Sequence, residues 1–180
     1  MTTIYSFESV SRPDAVALLL GSMPGVRSLQ QAQYYAHARN AFWPIMGALF
    51  GAAPELAYPE RLRILQSHHI ALWDVLQCCE RIGSLDADIA EASIVANDFA
   101  AFFARHPDIG WVFFNGAKAE AAYKKYVLPT LPGNYAALRY VRLPSTSPAH
   151  AGFSLIQKLE QWKIVKDLGG GLDREANTPP

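Results

Sequence analysis

The decapeptide Tyr34-Tyr35-Ala36-His37-Ala38-Arg39-Asn40-Ala41-Phe42-Trp43 concentrates aromatic rings, a histidine, an arginine and an asparagine in one short stretch. An aromatic face can stack on a planar molecule, and an amide offers both a donor and an acceptor to a polar edge. Just upstream, Leu18-Leu19-Leu20 runs into Gly21-Ser22-Met23-Pro24-Gly25. That pattern reads as a buried strand ending in a tight turn, because glycine permits unusual backbone angles and proline blocks immediate continuation. An open α/β sheet places its ligand at such a strand end. The residue types fit a planar, polar ligand.

Positioning those residues requires a sheet. Ala15–Leu20 reads as a central strand that is apolar on both faces, and His68–Val75, Ile109–Phe114 and Leu138–Leu143 read as further strands. Between them, Asn40 can cap a helix reaching Phe50 and stopping at Gly51, and Pro59–Gln66 forms a short helix. Asn97-Asp98 opens a helix over Phe99–Arg105, halted before Pro107. Ala117–Tyr126 is a helix with a basic outer face, and a last helix covers about Gly152–Lys166. Strands alternating with helices predict a parallel sheet covered on both faces. Polar, turn-rich segments at 21–25, 115–116 and 144–148 end three of the strands. In a parallel sheet these ends share one edge, so distant residues should converge on one cleft.

With 180 residues, 51% of them hydrophobic, the chain can bury one core. We expect a single domain over 1–168 and a disordered Gly- and Pro-rich tail over 169–180. No apolar run approaches the roughly 20 residues of a membrane span, and the first residues do not read as a signal peptide, so a cytoplasmic, non-membrane protein is expected. The only cysteines, Cys78 and Cys79, are adjacent. Two thiols cannot hold a usual iron–sulfur cluster, and no companion ligands suggest zinc, so no such metal site is expected. The net charge of +0 conceals an asymmetry: residues 51–110 carry nine acidic and four basic side chains, and 111–166 carry two acidic and eight basic ones. A basic half suits a local phosphate-binding surface.

Three ordered motifs, Gly21–Leu29 (GSMPGVRSL) with Tyr34–Pro44, Phe113–Ala119 (FFNGAKA) and Leu143–Ala151 (LPSTSPAHA), resemble the uracil-DNA glycosylase superfamily. The likeness is greatest to its hypoxanthine-DNA glycosylase branch, with the mismatch-specific uracil glycosylases as nearer cousins than the rest. It spans nearly all of positions 15–160. The resemblance implies a three-layer α/β/α sandwich around a mainly parallel four-stranded sheet. It also implies a monomeric, cofactor-free enzyme that flips a deaminated base out of DNA and hydrolyses its N-glycosidic bond, acting in the cytoplasm on the nucleoid.

Roles follow from the matched positions. Tyr35 falls where relatives stack an aromatic on the base, Asn115 where they read its edge, and Gly21 and Met23 beside it. Met23 and Leu143 replace the aspartate or asparagine and the histidine with which many relatives activate water. The hypoxanthine branch is thought to rely instead on the asparagine of its RNAFW segment, here Asn40. Ser145, Thr146, Ser147 and Pro148 resemble the loop that enters the minor groove, with Ser22 as a further phosphate contact and His37 and Phe42 near the pocket. Read from residues alone, Tyr35 is equally a core aromatic, Asn40 a helix cap and Asn115 a turn former. A lesion-binding protein that has lost the chemistry is the alternative.

Overall fold

The computed structural model describes residues 2–83 and 85–169. In chain order the elements are β1 (Thr2–Tyr5), β2 (Ala17–Gly21), α1 (Val26–Gln31), α2 (Phe42–Phe50), α3 (Tyr58–Ser67), β3 (Ile70–Asp74), β4 (Leu76–Arg81) and β5 (Ile89–Ala96). There follow α4 (Phe99–Arg105), β6 (Trp111–Asn115), α5 (Ala117–Ala122), β7 (Arg139–Leu143) and α6 (Leu155–Gly169). Four strands form a parallel sheet in the order β3-β2-β6-β7.

β2 is the centre of this sheet, and every one of its residues is buried. The side-chain period of two explains how it serves two cores at once. Leu18 and Leu20 face one cluster, with Trp73, Phe114 and the aromatics Phe99, Phe102 and Phe103 of α4. Ala17 and Leu19 face the other, with Phe42, Ile45 and Met46 of α2, Leu65 of α3 and Trp162 of α6. The sheet therefore lies between two helical layers, as the alternating pattern predicts. Each buried leucine contributes about 1.5–3 kcal/mol relative to exposure.

Local chemistry sets the helix boundaries. Asp98 caps α4 by accepting from the Ala101 N–H at 2.9 Å. Gly51 closes α2 at φ 82°, a conformation glycine adopts without strain. The last helix begins at Leu155, later than the expected Gly152. Ser154 and Gln157 form a reciprocal capping box there, with Gln157 N–H to Ser154 Oγ at 3.2 Å and Ser154 N–H to Gln157 Oε1 at 2.8 Å. Its far end continues through Gly169, so the expected tail loses its first residue to the helix, and the rest lies outside the described residues. The basic helix leaves α geometry at Ala122 and continues as a π-helical turn over Tyr123–Val127.

One layer of the architecture departs from expectation. β1, β4 and β5 make a separate antiparallel sheet in the order β1-β4-β5. The chain does not enter a loop after β3 but turns within one residue, Val75, into β4. His68 caps α3 and His69 sits at φ 58°, so the strand expected from His68 begins at Ile70. β4 and β5 are buried irregularly along their length, and their pairing shifts register between Leu76 and Glu80. Such strands lack the clean alternation that reveals a strand in sequence.

Trp162 joins core to cleft: it is fully buried in α6, and its indole N–H donates to the Pro144 carbonyl at 3.0 Å. Trp162→Ala should lower the unfolding free energy by about 3–5 kcal/mol, measured by urea denaturation.

Candidate active site

At the carboxyl ends of the parallel strands lies a cavity of about 310 Å³. Tyr35, Asn40, Asn115 and the segment Ser145–Pro148, far apart in sequence, all line it, together with Gly21, Ser22, Met23 and His37. The parallel register produces this convergence, since Gly21 pairs with Asp74 and Asn115 with Leu143.

Tyr35 is half-buried and held at φ 55°, a left-handed conformation that costs a non-glycine residue on the order of 1–3 kcal/mol. Its ring stacks on Phe42, centroids 4.0 Å apart and 21° from parallel. Phe42 itself is fully buried and does not line the cavity. The expectation that Phe42 borders the pocket is corrected: it sits behind Tyr35 and supports it. Tyr34 is buried as a core aromatic, with its hydroxyl donating to the Glu8 carbonyl at 3.2 Å and its carbonyl accepting from the Trp43 indole at 2.9 Å. Burial above all, and then the negative charge of Asp74, push the Tyr34 hydroxyl far above its ordinary range, so it stays neutral.

Gly21 matters for the space it leaves. A Cβ there would lie 2.5 Å from Asp74 Oδ1 and 3.0 Å from the Tyr35 hydroxyl. Asp74, Gly21 and Tyr35 thus meet at one point of the cavity. Asp74 is only 3% exposed and lines the cavity, and it was absent from the sequence-based candidates. The signal was present: ALWD ends its apolar run on a polar residue, as LLLG leads into Ser22 and FFN ends on Asn115.

Asn115 and Thr146 form a two-pronged clamp. The Asn115 amide donates from Nδ2 to Thr146 Oγ1 at 2.8 Å, and its Oδ1 accepts from the Thr146 N–H at 2.8 Å. Each end of the amide is thus anchored to the neighbouring loop, and a second Nδ2 proton and a second Oδ1 lone pair remain for a ligand edge. Thr146 is 1% exposed, which takes it out of the surface loop in which the sequence placed it. Its carbonyl also accepts from the Ala41 N–H at 3.0 Å. Gly116, at φ 94°, completes the junction, since a Cβ there would meet Ser145 Cβ at 2.9 Å.

Asn40 lines the cavity beside this junction. Its Oδ1 accepts from the Phe42 N–H at 3.0 Å, so it does cap the start of α2, one position ahead of the N-cap Ala41. His37 Nδ1 accepts from the Arg39 N–H at 3.1 Å. Ser145 and Ser147 turn their oxygens inward to the loop, accepting from the Ser147 and Ala149 N–H groups at 3.2 Å each. Pro148 is exposed, whereas Ser22 is 9% exposed and lies within the cleft rather than on its rim.

The basic half does not gather at the cavity. Glu120 pairs with Lys124 and Arg142, Glu91 with Lys125, and Glu160 with Lys163. Among the described lining residues the arginine is Arg27, on α1, which sequence reading overlooked. Met23 and Leu143, at positions where many relatives activate water, are buried and apolar. Among the described residues no cluster of side chains suits a metal ion, and no helix is long and apolar enough to cross a membrane.

Comparison with known proteins gives the family and the fold. The model of the uracil DNA glycosylase superfamily matches residues 8–169. A protein of Methanosarcina acetivorans named hypoxanthine DNA glycosylase is 34% identical over 160 residues, covering 88% of this chain and 95% of the relative. Its namesake from Methanosarcina barkeri is 35% identical over 114 residues, covering 63% of this chain and 71% of the relative. A solution NMR structure from Methanosarcina acetivorans, provisionally named a uracil DNA glycosylase, superposes with a TM-score of 0.75 at 31% identity, covering 93% of this chain and 99% of that one. The chain belongs to the uracil DNA glycosylase superfamily, and its layered α/β/α fold is the fold of that family.

Two substitutions probe the site's construction. Thr146→Val keeps shape but strands the Asn115 Nδ2 donor. It should cost about 1–3 kcal/mol in urea denaturation and speed amide hydrogen exchange across 144–150. Gly21→Ala overpacks the contact with Asp74 and Tyr35 and should cost a similar 1–3 kcal/mol.

Proposed function

We propose that this protein is a monofunctional DNA glycosylase that removes a deaminated base, hypoxanthine first and uracil second, and leaves an abasic site. The observation that carries the reading is the convergence of Tyr35, Asn40 and the Ser145–Pro148 loop on one cavity large enough for an extruded base. The relatives' names support the same class of substrate. The reading includes a single-domain, monomeric protein, needing no metal or cofactor and acting on DNA in the cytoplasm.

The reaction breaks the bond between the sugar C1′ and the base nitrogen. The bonding pair leaves with the base as an anion, water adds to C1′, and the proton that water sheds passes through solvent to neutralise the departed base. A base out of the stack needs a new face to lie on, and the Tyr35 ring, backed by Phe42, supplies one. The strained backbone of Tyr35 keeps the ring at the cavity wall and spares the binding step that ordering. Asn40 is a neutral amide and a poor base. Its oxygen keeps a lone pair beyond the bond from Phe42, and with it the residue orients water toward C1′. The Met23 thioether cannot accept a proton from water, so departure of the base leads and attack by water follows. At the mouth of the cavity, exposed Pro148 and the stiff loop held by Thr146 press on the backbone of the duplex.

The test uses duplexes carrying one hypoxanthine or one uracil, incubated with the protein and then treated with alkali. Strand breakage should appear only after alkali. Asn40→Ala should slow single-turnover excision at least ten-fold, about 1.4 kcal/mol of barrier, while its unfolding midpoint shifts only by what a lost cap costs. Absence of breakage above the Asn40→Ala background on both lesions would refute the assignment.

A further inference from the structure

The antiparallel sheet β1-β4-β5 has no role in the site described so far, yet the turn joining β4 to β5 reaches it. Leu85, in that turn, is 53% exposed and lines the cavity. Ile82, three residues earlier, is 68% exposed. Two large aliphatic side chains left in water on one turn add nothing to the core. The turn is nevertheless fastened to the site. Arg81, at the end of β4, is buried, and its Nη2 donates to the carbonyl of Pro24 in the cavity-lining segment 21–25. The Arg81 Nε donates to the Gly83 carbonyl at 2.9 Å, and the Leu85 carbonyl accepts from the Asp88 N–H at 3.0 Å. Leu85 thus stands at the mouth of the cavity on a turn tied to its wall.

A base that enters the cavity leaves a gap in the duplex, and restacking draws it back unless an apolar side chain fills that gap. The loop over 145–149 is poorly equipped to do so. Thr146 is buried, and Ser145 and Ser147 turn their oxygens to the loop's own N–H groups. Pro148 and Ala149, the apolar side chains it exposes, are both short. Met23 is buried in the cavity wall, and Val26 of α1 is smaller than leucine and only 37% exposed. We propose that Leu85 is the wedge that enters the gap vacated by the flipped base, while the loop over 145–149 presses on the backbone. The antiparallel sheet is then the arm that carries the wedge, and Arg81 the tie that holds it beside the cavity. Burial of the exposed leucine between the flanking bases offsets the stacking lost when the base leaves.

The inference rests on the glycosylase reading, and two measurements separate them. The first is binding to a sound duplex and to one carrying a tetrahydrofuran, an abasic sugar at which the gap is already open. Wild-type protein should bind the abasic duplex about ten-fold or more tighter. Leu85→Ala should bring the two affinities within about three-fold, and Leu85→Met should keep the preference. The second is single-turnover excision of hypoxanthine from a duplex, which Leu85→Ala should slow by about ten-fold or more and Leu85→Met by no more than about three-fold. Thermal unfolding should stay unchanged in both variants, because the side chain is exposed. A merely structural Leu85 would alter affinity for both duplexes alike. Retention of the abasic preference by Leu85→Ala, its absence in wild type, or a wild-type excision rate in Leu85→Ala overturns the inference with the glycosylase reading untouched. So does a dimer in sedimentation that Leu85→Ala abolishes, which would assign the exposed turn to a second copy of the chain. A wild-type protein that excises neither hypoxanthine nor uracil fails the glycosylase reading first, and this inference with it.

Discussion

The organisation of the cleft depends on one buried residue, Thr146. Its N–H and hydroxyl hold both ends of the Asn115 amide at the end of β6, and its carbonyl takes the Ala41 N–H at the start of α2. One side chain and its peptide groups thus join three segments that are remote in sequence. The distance between Asn40 and the Ser/Pro loop is set by backbone hydrogen bonding, not by flexible side chains. Asn40 and Tyr35 share this rigidity, because Phe42 lies under the Tyr35 ring and its N–H is held by Asn40.

Much of this was legible in the residues. The apolar run of β2 and its Gly-Pro turn, the Asp98 cap and the Gly51 stop are local signals, and each has its structural counterpart. The convergence of Tyr35, Asn40, Asn115 and Ser145 followed from a general property of parallel sheets. What the chain did not reveal in one dimension was partner choice. An asparagine before a glycine at a strand end carries no mark of the neighbouring threonine that anchors its amide. Ser145 and Ser147 look like surface donors until the loop curls and their oxygens take up its own N–H groups. Asp74 was missed because only the β2–β3 register places it over Gly21. The antiparallel sheet was missed because its strands are irregularly buried and shifted in register.

The site also shows where the fold tolerates cost. Tyr35 occupies a backbone region that side chains avoid, and Asp74 places a carboxylate where solvent scarcely reaches. Neither is needed to build a sandwich. Both are held by surroundings that over-determine them. Stacking on Phe42, worth about 0.5–1.5 kcal/mol beyond burial, offsets part of the Tyr35 strain. The neighbouring aromatic hydroxyl of Tyr34 remains protonated beside the acid, adding no second charge.

The packing of Gly169 has a consequence for synthesis of the protein. Its bare Cα lies so close to β2 that a Cβ would come within 2.7 Å of Ala17 Cβ and 3.1 Å of the Phe113 ring. Gly169 of α6 thus packs directly on Ala17 of β2, which comes far earlier in the sequence. On the ribosome β2 is made before the helix that covers it, and the strand waits for α6 until the intervening elements have been translated. During that interval Ala17 and Leu19 lack part of their lid, and the newborn polypeptide is then most in need of chaperone shelter.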